Sequence, residues 1–154
     1  MSVDPGRFAD LICDWCLEVA PGTRVLVAGS TLAQPQALAL HAAILDRDAW
    51  PFLWLNPPTL GAEFYRHAHE RHLSSSPPTE LALWDGIDAF VRLDAPANTN
   101  GLAGVDPALI ARHATARTEV MERQRARRWC GTLVPTPALA QLAGMSERDY
   151  ASFV

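Results

Sequence analysis

An α/β fold, with helices on both faces of a mostly parallel sheet of about four strands, is predicted by three features of this 154-residue chain. Short apolar runs recur at 24–28, 51–55, 87–93 and 128–134. Stretches with helical apolar spacing lie between them. Asp-Pro pairs that open helices stand at Asp4-Pro5 and Asp106-Pro107. Strands separated by crossovers of ten or more residues form parallel β-α-β units. Such crossovers are right-handed and place helices on both sheet faces. The expectation is a three-layer α/β/α sandwich, one domain over 1–154, with no internal repeat.

Each element has its own signal. Asp4 is placed as an N-cap and Pro5 as the first helical residue. Phe8, Leu11, Ile12, Trp15, Cys16 and Val19 then follow the i, i+3, i+4, i+7 rhythm of one helix face, and Pro21-Gly22 closes that helix. The valine-rich run from Arg24 to Ala28 predicts a buried strand, with Gly29-Ser30-Thr31 as its exit turn. A second helix is expected from Pro35 to Asp48, with Thr31 and Gln34 spaced as a capping box. Pro51 to Leu55 predicts a strand that leaves through Asn56-Pro57-Pro58. Leu60 to His72 predicts a helix, Glu80 to Trp84 one or two helical turns, and Ile87 to Leu93 the third strand. Asp106-Pro107 opens a long helix reaching about Arg125. Arg128 to Val134 is the fourth strand and Pro137 to Ala143 a short helix. Last, Ser146 is spaced as an N-cap, with Met145 and Tyr150 as a hydrophobic staple and Asp149 at the capping-box position.

Composition bounds the function. The chain is 49% hydrophobic with a formal net charge of −4, and all 13 basic residues are arginine. A net acidic chain disfavours nucleic acid as a partner. No apolar run reaches the roughly 18–20 residues that span a bilayer, and Met1-Ser2-Val3-Asp4-Pro5 carries no secretory pattern. Three cysteines, an odd number, suggest a reducing cytoplasm rather than a disulfide framework.

Four groups invite a chemical reading. Cys13-Asp14-Trp15-Cys16 has redox spacing, but a reactive first thiol belongs at a helix N-terminus, and both cysteines fall inside the first helix. Cys130 could join them as a third zinc ligand, but it is distant in sequence and a structural zinc site takes four ligands. Packing is the plainer role. Cys16, on the apolar face, is expected to label slowly and Cys13 faster, and Cys16→Ser to cost about 1–3 kcal/mol. His67, His69 and His72 suggest a zinc helix, but a zinc pair stands at i and i+4, whereas His69 and His72 stand at i and i+3. A polar helix surface is expected. Gly29-Ser30-Thr31 could hold an anion on backbone N–H groups, yet it matches neither nucleotide-binding glycine motif; a capped turn is the alternative. Arg112, Arg117, Arg123, Arg125, Arg127 and Arg128 form a local excess of positive charge, expected as a solvated or docking face. No catalytic residue, cofactor-binding residue or metal ligand can be placed.

Three ordered segments carry a resemblance. The first joins Ala9-Asp10-Leu11-Ile12, Cys16-Leu17-Glu18-Val19, Pro21-Gly22, Arg24-Val25-Leu26 and Gly29-Ser30-Thr31-Leu32-Ala33. The second joins Ala95-Pro96, Asn98-Thr99 and Gly104-Val105-Asp106-Pro107. The third is Trp129-Cys130-Gly131-Thr132-Leu133-Val134-Pro135-Thr136-Pro137-Ala138, then Ala140-Gln141, Ala143-Gly144-Met145-Ser146 and Tyr150. Together they resemble the N-terminal half of the aminopeptidase T and aminopeptidase S family of metallo-aminopeptidases. The resemblance implies a two-domain, homodimeric, cytoplasmic hydrolase acting on short peptides. It implies a centre of two divalent metal ions, zinc or cobalt, in a C-terminal catalytic domain, where the metals would activate water. The N-terminal domain would wall the active-site cavity. This chain ends at Val154, before those ligands, so an excised domain or truncated product without activity is expected. Tyr150 and Phe153 would mark where the catalytic half continues, beside an exposed apolar patch.

Two alternatives remain. One is a stand-alone small-molecule-binding module, with Gly29, Ser30, Asn56, Asp94, Asn98 and Thr136 lining the carboxyl edge of the sheet. The other is a structural or dimerisation domain.

Overall fold

The computed structural model describes residues 4–154. Asp4 caps the first helix as expected. Its carboxylate accepts the Gly6 N–H at 3.0 Å, and Pro5 opens α1 (Pro5–Leu11). The helix then widens. Ile12–Cys16 is a π-helical turn, and the Leu17 N–H donates to the Ile12 carbonyl at 2.9 Å. The extra residue rotates everything after it. Ala9, Ile12, Cys13 and Leu17 therefore enter the core, while Leu11 and Trp15 are exposed.

This corrects the cysteine assignment. Cys13 is fully buried and Cys16 half-buried. Burial pushes the Cys13 thiol up to about 11. Since the thiolate is the reactive form, Cys13 is the residue expected to label slowest in the folded protein. Cys13→Ser, rather than Cys16→Ser, should then cost about 1–3 kcal/mol. Timed alkylation with mass spectrometry and a denaturant titration check both; labelling of Cys13 ahead of Cys16 would contradict the burial.

β1 (Arg24–Ser30) follows. A 3₁₀ turn, Thr31–Ala33, leads into α2 (Gln34–Leu45). Here Ser30 caps the turn, its hydroxyl accepting the Leu32 N–H at 3.2 Å, in place of the expected Thr31 and Gln34 box. β2 (Trp50–Asn56) comes next. The predicted third helix is two helices, α3 (Leu60–His67) and α4 (Glu70–Ser74), parted where Ala68 and His69 are extended. α5 (Pro78–Asp85) precedes β3 (Ala89–Asp94). The long helix is also broken, at Arg117, into α6 (Pro107–Ala116) and α7 (Thr118–Arg125). β4 (Arg128–Leu133), α8 (Pro137–Leu142) and α9 (Glu147–Phe153) complete the described order.

The four strands are all parallel, in the order β2-β1-β3-β4. Strand alternation divides the core between two faces. On one face, Val25, Val27, Ala89, Val91 and Leu93 pack under Ile12, Leu17, Leu40 and Ile44 from the first two helices. On the other, Leu26 and Phe90 pack under Trp84, Ile87 and Val120. This is the predicted three-layer sandwich. β2 is an edge strand. The Trp50 N–H donates inward to the Thr23 carbonyl at 2.8 Å, so by alternation Pro51 presents its backbone to the open edge. A residue without an N–H at that position blunts edge-to-edge pairing.

The C-terminal end is built as its sequence pattern indicates. Gly144, at φ 66°, closes α8, and the Met145 N–H reaches back to the Ala140 carbonyl at 2.9 Å. Ser146 accepts the Asp149 N–H at 3.2 Å and donates its own proton to the Asp149 carboxylate at 2.7 Å. Tyr150, expected with Phe153 to mark an open end, is instead buried in this domain, while Phe153 and Leu142 are more than two-thirds exposed. Beside them lies an apolar groove lined by Phe8, Leu133, Val134, Ala151 and Val154.

Candidate functional site

In an open parallel sheet, ligands bind outside the carboxyl ends of the strands, where the strand order reverses. Here β1 runs on to β2 on one side and has β3 on the other, so the reversal lies between β1 and β3. A cleft of about 580 Å³ opens there, lined by Gly29, Ser30, Asn56, Arg92, Asp94 and Leu133 among others. Four of the six residues expected at this edge are thus brought together. Thr136 and Asn98 are not. Thr136 is buried and caps α8 through its hydroxyl, 3.3 Å from the Leu139 nitrogen. Asn98 turns its side chain onto the Asn100 N–H at 2.9 Å.

The floor of the cleft depends on one glycine. A Cβ built on Gly29 would lie 2.5 Å from the Leu93 carbonyl oxygen, so the two strands meet too closely there for any side chain. The polar walls are committed locally. The Ser30 hydroxyl caps the following turn. The Asn56 side-chain oxygen accepts the Trp54 indole N–H at 3.1 Å. Asp94 is paired with Arg92 at 2.9 Å. This arrangement fits a wall or an access surface, and it leaves no acid–base pair poised over the cleft.

A second hollow of about 750 Å³ adjoins it, sharing Asn56, Leu60 and Gly61. Its walls are Phe64 and Tyr65 from α3, Arg71 and His72 from α4, and His113 and Arg117 from around α6. His113 stacks on Phe64, ring centroids 4.5 Å apart, and its Nδ1 lies 3.1 Å from the Tyr65 hydroxyl. Burial holds the His113 imidazole below the ordinary histidine range, and the nearby Arg117 charge adds to that. Arg117 is itself half-buried and forms a two-pronged pair with Glu80, with one bond of 2.8 Å. Asn56, His72 and Arg117 each stand out in the sequence for other reasons, but nothing there brings them together. The parts of the hollow come from four separate helices, and no local spacing announces them.

The other sequence candidates have structural roles. The His69 N–H donates to His72 Nδ1 at 3.0 Å, so these histidines cap α4. His67 faces solvent beside Glu63, at 3.6 Å. Five of the six arginines are engaged. Arg112 pairs with Glu70 and Arg117 with Glu80. Arg123 bridges Asp85 and Glu119, and Arg127 holds the Trp84 carbonyl. Arg128 pairs with Glu18 at 2.5 Å. Among the described residues, no three His, Cys, Asp or Glu side chains converge to hold a metal ion, and no helix is long and apolar enough to cross a membrane.

Comparison with known proteins decides the family. The sequence matches the family described as thermophilic metalloprotease (M29) over residues 4–154. The chain belongs to that family. No curated protein sequence matches it. Among solved structures, wild-type AmpT from Thermus thermophilus superposes with a TM-score of 0.73 at 16% identity, covering 97% of this chain and 41% of that one. At that identity the likeness speaks for the fold. The chain therefore has an M29 fold over its described length and spans less than half the length of AmpT. Metal dependence belongs to the M29 family, and among the described residues no cluster of three candidate ligands forms.

Proposed function

We propose that this chain is the N-terminal, non-metal-binding domain of an M29 aminopeptidase that releases N-terminal residues from short peptides. One observation carries the reading: the family match runs across all the described residues, while the chain covers 41% of the AmpT chain on which it superposes. The two divalent metal ions would then be held by another part of the parent protein. The role left to this domain is to wall the cavity and limit access to it. The locally satisfied polar groups of the carboxyl-edge cleft support that role. The apolar groove beside Phe153 supports a packing surface for the catalytic part, because exposed apolar patches of this kind mark contact surfaces. A homodimer in the cytoplasm is the proposed setting, and the three unpaired cysteines agree with a reducing compartment.

The test is direct. The purified 154-residue chain is assayed on leucine p-nitroanilide with added cobalt or zinc, and its metal content is measured after dialysis. The expected result is no turnover and no stoichiometric metal. Turnover dependent on one or two bound ions per chain would overturn the reading.

A further inference from the structure

The sequence pairs Cys16 with Cys13, but the fold packs the turn that ends at Cys16 against β4, the strand that carries Cys130. Cys16 closes the π-helical turn, and Cys130 lies within β4, on the sheet face that this turn covers. Both are half-buried and both pack against the same apolar cluster. Arg128, two residues before Cys130, fastens β4 to the end of the turn. It pairs with Glu18 at 2.5 Å and donates to the Leu17 carbonyl at 3.3 Å. Residues of the turn and of β4 approach within 8 Å, Cα to Cα, across this face. Cys13 is enclosed in the core.

We infer that Cys16 and Cys130 form an oxidisable dithiol, able to close an intramolecular disulfide that clamps the end of the first helix to strand β4. The oxidant is a low-molecular-weight disulfide such as oxidised glutathione. The Cys16 thiolate attacks one of its sulfurs and expels one glutathione thiolate, which takes up the proton that Cys16 gave away. The Cys130 thiolate then attacks the Cys16 sulfur and expels the second glutathione in the same way. Two protein thiols are oxidised and one small disulfide is reduced to two thiols. Burial pushes the Cys130 thiol up to about 11, so the second step is slow at neutral pH and speeds up as pH rises. The bridge encloses most of the chain in one loop, the arrangement in which a cross-link most restricts the unfolded state. It acts on the strand whose carboxyl end contributes Leu133 to the cleft.

The experiment treats the native chain with oxidised glutathione, traps free thiols with iodoacetamide and maps the linked peptides by mass spectrometry. Loss of two hydrogens, a Cys16–Cys130 linked peptide, a free Cys13 and a higher thermal midpoint are expected. Cys16→Ala and Cys130→Ala, each checked for native circular dichroism, should lose the bridge and keep the unbridged midpoint under oxidation. A Cys13–Cys16 link, three free thiols, lasting glutathione adducts on the native wild type, or bridging only after denaturation would overturn the inference.

Discussion

Gly29→Ala should destabilise the domain by about 3 kcal/mol, the upper part of the usual range for overpacking, and Gly29→Val should leave little native protein. The reason is a contact of backbone with backbone. The added Cβ would meet the Leu93 carbonyl oxygen at 2.5 Å and the Leu93 Cβ at 2.9 Å. Neither is the end of a flexible side chain that could step aside. Gly29 and Leu93 are register partners in adjacent central strands, so relief requires β1 and β3 to part beside the buried Leu93. Native stability is typically about 5–15 kcal/mol in all, which makes this a large fraction of it. Gly104→Ala is the control. Its added Cβ meets nothing within 4 Å, and a change of about 0.5 kcal/mol or less is expected. Urea titrations of the three variants decide it. Equal midpoints for Gly29→Ala and wild type would show that the strands can separate freely at the cleft floor.

The same glycine shows where the sequence stops being legible. The valine run before it announced a buried strand, and the order of strands and helices announced a parallel sandwich. Those signals come from periodicity and helix-opening residues, which are local. Gly29 invited a turn or an anion-binding reading, because a glycine after a strand has that local meaning. Its actual reason is a neighbour more than sixty residues away. The first helix fails for a related cause. One inserted residue at Ile12–Cys16 exchanged the environments of Cys13 and Cys16, and no residue type marks the insertion. The histidines of α4 kept a polar role, as their spacing implied, but the break that made them caps was hidden in a continuous helical pattern. The second hollow and the packing of the Cys16 turn against β4 escaped the sequence for one reason: each is made by residues from separate elements.

Arg117→Met should cost about 3 kcal/mol, toward the lower end of what removing one partner of a buried ion pair costs. The Glu80 side chain is 11% exposed and Arg117 29%, so the pair is largely withdrawn from water but not fully. Both Glu80 oxygens accept from the guanidinium. Removal of Arg117 leaves a carboxylate whose lost hydration is no longer offset. Replacing both residues, as in Arg117→Met with Glu80→Leu, should recover most of the loss, because no charge is then stranded. A second readout separates this account from simple loss of packing. His113 is held low first by burial, then by Arg117, and is raised by Glu80. With Arg117 gone, its titration midpoint should move up. The sign for stability follows. A histidine whose folded value lies below the ordinary 6.5 favours the fold above that pH, and the contribution is lost as pH falls below it. Wild type should therefore weaken as pH drops below 6.5, and Arg117→Met should weaken less over that interval from its lower starting point. Histidine chemical shifts against pH, with thermal unfolding at pH 5.5 and 7.5, measure both. An unchanged His113 midpoint in the variant would show that the Arg117 charge does not reach the hollow.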